Sequence, residues 1–135
     1  MSGPGNYNHA IIEQYRANGG KTSHPLPLLL LITTGAKSGE TRTNPVAYSR
    51  DGDRYVVLAS KGGAPTNPAW YYNLLANPIV TVEVGNDRFQ ARAIPATGDE
   101  YERLFTLHAT QMPGFAEYRK KTTRQIPVIV LERIK

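Results

Sequence analysis

Two glycine-bearing loops hold the residues best suited to chemistry in this chain. In the first, Thr33-Thr34-Gly35-Ala36-Lys37-Ser38-Gly39-Glu40-Thr41-Arg42, the glycines let backbone amides turn toward one point, as in an anion-binding concavity. Lys37 adds a compact positive charge, and Arg42 adds a fork that can grip phosphate through two parallel hydrogen bonds. Ser38 and Thr41 contribute hydroxyl donors. The G-x-x-x-x-G-K spacing of a nucleotide P-loop is absent, and an ordinary polar hairpin connection uses the same residue types. The second loop, Ala59-Ser60-Lys61-Gly62-Gly63-Ala64-Pro65-Thr66-Asn67-Pro68, leaves a strand and enters a helix. There Ser60 and the amides of Lys61 and Gly62 suit the polar edge of a planar heterocycle, because glycine allows close backbone approach. Trp70, the only tryptophan, follows one turn into that helix, where it packs beside a ring or anchors the core.

Other chemistries find little support. His9, His24 and His108 are scattered and match no metal spacing, and there are no cysteines for thiolate sites or disulfides. No Gly-x-Ser-x-Gly elbow occurs, which argues against a serine hydrolase. His108 falls on an apolar helical stripe and reads as a satisfied core histidine. Arg119-Lys120-Lys121 reads as a solvated helix end, where positive charge suits the helix dipole. The same cluster would also suit an acidic cofactor tail or anionic lipid.

The elements that position these loops are legible in turn signals and periodicity. Asn8 to Ala17 forms a short helix with Ile11, Ile12 and Tyr15 on one face, ended by Asn18-Gly19-Gly20. His24-Pro25-Leu26-Pro27 must be extended, since each proline disfavours a helical residue before it. Leu28 to Thr33 is a continuous apolar run, the mark of a strand buried on both faces. Thr43 to Ser49 and Arg54 to Ser60 flank an Asp51-Gly52 hairpin turn, and Ile79 to Val84 and Arg88 to Ile94 flank Gly85-Asn86. Ile126 to Glu132 is the last strand, with Pro127 near its start. Asn67-Pro68 supplies an N-cap and a first helical proline, and Asn77-Pro78 stops that helix. Thr97 and Glu100 form a capping box ahead of Tyr101, Leu104, Phe105 and His108, and Pro113 opens a helix through Lys120. The order is helix, three strands, helix, two strands, two helices, strand. Consecutive hairpins imply antiparallel pairing, and about six such strands hide their edges best as a barrel, so the fold class is α+β.

At 135 residues the chain is one domain. Residues 1–25 read as an N-terminal helical extension and residues 26–135 as the binding domain. Its net charge of +5 favours an anionic partner. A nucleic-acid partner is disfavoured because the basic residues are not interleaved with aromatics on one surface. The longest apolar run falls far short of the roughly 20 residues a spanning helix needs. With no secretory signal at the N-terminus, a cytoplasmic location is expected, with peripheral membrane contact left open.

The spaced pattern Thr33-Thr34-Gly35-x-Lys37-Ser38-Gly39-x-x-Arg42-x-x-Pro45, with Ala59-Ser60-Lys61-Gly62-Gly63-Ala64, Asn67-Pro68-x-Trp70-Tyr71-x-Asn73-Leu74-x-Ala76-Asn77-Pro78 and Ile126-Pro127-Val128, strongly resembles the deazaflavin-dependent nitroreductase family. The resemblance covers about residues 26–134. It implies a split β-barrel of the pyridoxamine phosphate oxidase type, the group that also includes FMN-binding split barrels. It also implies coenzyme F420, a deazaflavin with an anionic phosphate and oligoglutamate tail. By matching positions, Lys37, Ser38 and Arg42 would hold the phosphate region. Pro45, Leu58, Ser60, Lys61, Gly62, Ala69, Trp70 and Asn73 would border the ring and its linker. The implied activity is hydride transfer from reduced F420 to a small electron-poor acceptor: a quinone, nitro compound or activated alkene. The alternatives are an F420 or lipid carrier without efficient turnover and an FMN-dependent reductase. Relatives of this type are often homodimers. Family members place tyrosines before the last strand, along the substrate pocket; here Met112 and Phe115 stand at two such positions and Tyr118 at the third. Neither Met112 nor Phe115 can donate a hydrogen bond through its side chain. Only Ser60 and Tyr118 therefore carry over as catalytic contacts, and F420 binding is expected to survive better than nitro reduction.

Overall fold

The computed structural model describes residues 4–134, with side chains from residue 8 onward. Helix α1 (Pro4–Ala17) leads into β1 (Leu28–Thr34), β2 (Thr41–Asp51) and β3 (Arg54–Leu58). A 3₁₀ turn at Lys61–Gly63 and α2 (Ala69–Ala76) come before β4 (Ile79–Val84) and β5 (Asp87–Pro95). The chain continues through α3 (Gly98–Gln111), α4 (Gly114–Lys121) and β6 (Val128–Arg133). The expected element order holds.

The six strands close into a barrel in the order β1-β2-β3-β6-β5-β4, every pair antiparallel. Alternation divides their side chains between two cores. Leu29, Leu31, Val57, Val80, Val82, Phe89, Ala91, Ile129 and Leu131 point inward, and Trp70 and Leu74 of α2 join this inner cluster. Leu28, Leu30, Val56, Leu58, Val128 and Val130 point outward beneath α1, α3 and α4. This explains the unbroken apolar run of β1: Leu28 to Leu31 are all buried, alternately on the two faces. Burying each such leucine is worth roughly 1.5–3 kcal/mol.

The helices are tied to the barrel by a few polar contacts. Tyr15 of α1 accepts from the Gly85 N–H at 2.8 Å and donates to the Glu83 carbonyl at 3.2 Å. Tyr101 of α3 donates to the Ile126 carbonyl at 2.6 Å. Among the described residues, no helix is long and apolar enough to cross a membrane.

Three expectations are corrected. Thr97 is the N-cap of α3 but makes no side-chain capping bond. Glu100 is drawn instead to Arg54 and Arg103, which also bind Asp51, and two guanidinium groups outcompete a single backbone N–H for a carboxylate. Asn67 does not cap α2 either. Pro68 holds that position in extended geometry, and Asn67 accepts from Arg124 and donates to the Tyr72 hydroxyl. The last strand begins at Val128, because the Pro127 carbonyl accepts from Ala59 N–H and Pro127 has no N–H to return.

Candidate active site

The β1–β2 loop is shaped by its own hydrogen bonds. Gly35 N–H donates to the Glu40 carbonyl at 2.7 Å, Gly39 N–H returns to the Gly35 carbonyl at 3.0 Å, and Glu40 N–H reaches Ser38 Oγ at 3.1 Å. A Cβ on Gly35 would lie 2.5 Å from Ser38 Oγ and 3.2 Å from the Glu40 carbonyl, so a larger residue would displace the hydroxyl that holds the Glu40 N–H and crowd the turn. Asn73 of α2 anchors the loop from beneath. Its Oδ1 accepts from Ala36 N–H at 3.0 Å, and its Nδ2 donates to Thr33 Oγ1 at 3.1 Å. Lys37 and Ser38 are exposed at the tip. Arg42 lies 3.3 Å from Glu40 in a solvent-exposed pair, which contributes about 1 kcal/mol or less and leaves the guanidinium free to exchange onto a phosphate.

The second loop has an unusual backbone. Lys61, Gly62 and Gly63 all have positive φ, at 48°, 64° and 83°, and Lys61 is the only such non-glycine residue among those described. A left-handed lysine is costly unless its surroundings enforce it. Arg124 supplies that enforcement. Its guanidinium donates to the carbonyls of Ser60 (2.7 Å), Ala64 (3.0 Å) and Ala59 (3.2 Å), and to Asn67 Oδ1 (2.6 Å). Nothing in the local sequence marks Arg124, because each acceptor lies at least 57 residues earlier in the chain.

The two loops open onto adjoining cavities that share Asn44, Ala69 and Trp70. The first, about 790 Å³, is lined by Lys37, Ser38, Arg42, Ala69, Trp70 and Asn73, with Gly35 and Tyr72. The second, about 600 Å³, is lined by Pro45, Leu58, Ser60, Lys61, Gly62, Ala69 and Trp70, with Phe115 and Tyr118. Every residue expected at the site therefore lies on this one cleft. Trp70 is a buried member of the inner core, as its core-anchor reading expects, and also lines both cavities. Asn73 lines the first cavity, and its side-chain carbonyl and amide both hold the loop through Ala36 and Thr33. Met112 is buried in the outer core and is not part of the cavity wall, whereas Phe115 and Tyr118 stack edge to face along it. Leu26, Leu28 and His24 also line the second cavity, a contribution from the N-terminal segment that the motifs did not signal.

The fit to a phosphate-bearing planar ring follows from this donor set. A cationic, glycine-turned loop lines the first cavity. The second cavity adds Pro45, Leu58 and Trp70 beside Ser60, Lys61 and Gly62 of the left-handed loop. Among the described residues no group of His, Asp or Glu could hold a metal ion. Of the basic cluster on α4, Arg119 pairs with Glu102 at 2.7 Å and covers the Phe105 ring, and Lys120 reaches Glu117 at 3.5 Å. These are the contacts of a solvated helix end.

His108 lies outside the cleft and is fully buried. Its Nδ1 is 2.8 Å from Ser49 Oγ, its ring meets Phe115 edge-on at 4.4 Å, and its Nε2 has no hydrogen-bond partner. Burial pushes its pKa down to about 4.

The family model for F420H(2)-dependent quinone reductases matches residues 8–133. An F420H(2)-dependent quinone reductase of Mycobacterium tuberculosis is 43% identical over 126 residues, covering 88% of this chain and 85% of that protein. A solved F420-H2 dependent reductase, FDR-A, is 40% identical with a TM-score of 0.73, covering 82% of this chain and all of that one. Another solved chain, described as a domain-swapped dimer, is 37% identical with a TM-score of 0.75 and covers 96% of this chain. A pyridoxamine 5'-phosphate oxidase-like protein of Listeria innocua, 14% identical with a TM-score of 0.58 over 96% of this chain, shares the fold. The barrel is the split barrel of that group, and the chain belongs to the F420H(2)-dependent quinone reductase family.

Proposed function

We propose that this chain is an F420H2-dependent oxidoreductase that passes a hydride from the reduced deazaflavin to a quinone. The observation that carries this reading is the convergence of both loops on adjoining cavities, with Lys37, Ser38 and Arg42 on the first and Pro45, Leu58, Ser60 and Lys61 on the second. Lys37, Ser38 and Arg42 would hold the phosphate arm, and Pro45, Leu58, Trp70 and the Ser60-Lys61-Gly62 backbone would border the ring. When bound, F420H2 supplies the two electrons and the hydrogen of the hydride. The protein's own contribution is to hold donor and acceptor at near-attack distance, exclude water and meet the negative charge that develops on the acceptor. Phe115 provides an apolar wall for a flat acceptor, and the Tyr118 hydroxyl and Ser60 Oγ are the side-chain donors carried over as catalytic contacts.

A homodimer belongs to the same reading. It is supported by the relative described as a domain-swapped dimer and by the exposed apolar side chains Tyr72 and Leu75 of α2 and Ile79 at the start of β4.

Titration of the purified protein with F420 and with FMN tests the cofactor. F420 should bind more tightly, with affinity falling as salt rises, and Lys37→Ala and Arg42→Ala should each weaken it by about 1–3 kcal/mol. Equal or tighter FMN binding, or unchanged affinity in both variants, refutes the assignment. Oxidation of F420H2 by menadione at the protein-free rate refutes the reductase.

A further inference from the structure

The cleft poses a chemical problem that its motif residues solve only in part. A quinone that accepts a hydride becomes a hydroquinone monoanion, with the deazaflavin left oxidised, and a proton from water then completes the hydroquinone. The oxyanion formed in between needs a hydrogen-bond donor in a site that excludes water. Phe115 offers none, which leaves the Ser60 and Tyr118 hydroxyls. His24 lines the same cavity, with Leu26 and Leu28.

Its ring is oriented by its own backbone. The Leu26 N–H donates to His24 Nδ1 at 3.1 Å, and the His24 N–H donates to Thr22 Oγ1 at 3.1 Å. Pro25 and Pro27 restrict the residues that precede them, so the turn holding the ring is stiff. While Nδ1 accepts from a backbone N–H it carries no proton, so the proton of the neutral ring sits on Nε2. Among the described residues nothing accepts from Nε2. The ring is half-buried in the cavity wall, which gives a fixed donor at low entropic cost.

We propose that His24 Nε2–H is a hydrogen-bond donor to the developing oxyanion of the quinone acceptor. This rests on the reductase reading above. The role is electrostatic: loss of the Nε2 proton would leave an imidazolate, so the proton that completes the hydroquinone comes from solvent.

Two substitutions separate donation from loop positioning. In His24→Asn the shorter amide oxygen can still accept from the Leu26 N–H as an Asx turn, but no donor reaches the Nε2 position. In His24→Gln the amide nitrogen returns near the Nε2 position. The expected result is a fall of about 10- to 100-fold in kcat with menadione for His24→Asn. F420 affinity should be unchanged, and His24→Gln should recover a large part of the rate. A readout independent of turnover is nitrogen NMR of histidine-labelled protein. It should show the Nε2–H form of His24 and a shift of that nitrogen when menadione is added to the F420-bound protein. Full kcat in His24→Asn, an Nδ1–H ring, or no shift on addition of menadione overturns the inference. Wild-type protein that binds F420 yet does not oxidise F420H2 with menadione overturns the reductase reading, and the NMR arm still decides His24.

Discussion

Lowering the pH exposes the one buried histidine. In the folded chain His108 has its pKa pushed from the ordinary 6.5 to about 4 by burial, and its neighbours Ser49, Phe115 and Met112 carry no charge to compensate an imidazolium. The unfolded chain therefore takes up the proton first. The stability that comes from keeping His108 neutral is fully present above about pH 6.5, declines as the pH falls through the window and levels off below about 4. The gap between 6.5 and about 4 is worth on the order of 3 kcal/mol, a large share of the 5–15 kcal/mol typical of a domain. Asp51 acts in a separate window. Hydrogen bonds from Arg103 and Arg54 hold its carboxyl far below the carboxylate range, so its contribution is retained down to about pH 4 and lost only at lower pH. Urea unfolding followed by the fluorescence of Trp70, at pH 7.5, 6.5, 5.5 and 4.5, measures the effect in wild type and in His108→Leu. Carboxylates and net charge act on both proteins alike, so they cancel in the difference. That difference should shift in favour of the variant by about 2–3 kcal/mol across the series. Parallel curves for the two proteins would refute the reasoning.

Two further outcomes concern the loop scaffold. Arg124→Lys keeps the charge but cannot reach four acceptors at once, so amide exchange at Lys61 to Ala64 should speed up and F420 affinity should fall about 10-fold; protection equal to wild type refutes the clamp. Asn73→Leu removes both anchors of the β1–β2 loop, and should cost about 1–3 kcal/mol in urea unfolding as well as weakening F420; a loss of affinity with stability unchanged would instead mean that Asn73 touches the ligand directly.

What could be read from the sequence follows the range of the interactions involved. The hairpin at Gly85-Asn86, the stop at Asn77-Pro78 and the two-sided burial of Leu28 to Leu31 are set by neighbours in the chain, and the structure has them as expected; the first hairpin forms too, but turns at Gly52-Asp53, one residue later than Asp51-Gly52, since Asp51 pairs with Arg54. The capping box at Thr97 was a local signal overruled from a distance, since Arg54 and Arg103 draw Glu100 away. Of the cleft residues, Lys37, Ser38, Arg42, Ser60, Lys61, Gly62 and Trp70 were legible from the chemistry of their loops, whereas Pro45, Leu58, Ala69, Asn73 and Tyr118 were indicated only by the family resemblance. Arg124 and His24 were marked by neither. The acceptors of Arg124 are mostly backbone carbonyls, which leave no trace in residue type, and His24 owes its orientation to a backbone N–H within a proline-bounded turn. His108 was half legible: its apolar stripe predicted burial, but the sequence does not show that Ser49 meets only one of its nitrogens.

The place of β6 has a kinetic consequence. It is the last strand in the sequence order, yet it lies between β3 and β5 and bonds to both. Until it inserts, the other five strands can form only an open ribbon, with the ladder faces of β3 and β5 bare at its two ends. Such bare margins are templates for joining a foreign strand. The keystone strand brings Ile129 and Leu131 into the inner core and lies next to the Arg124 clamp in the chain, so ring closure and assembly of the ligand cleft should arrive together, late in folding.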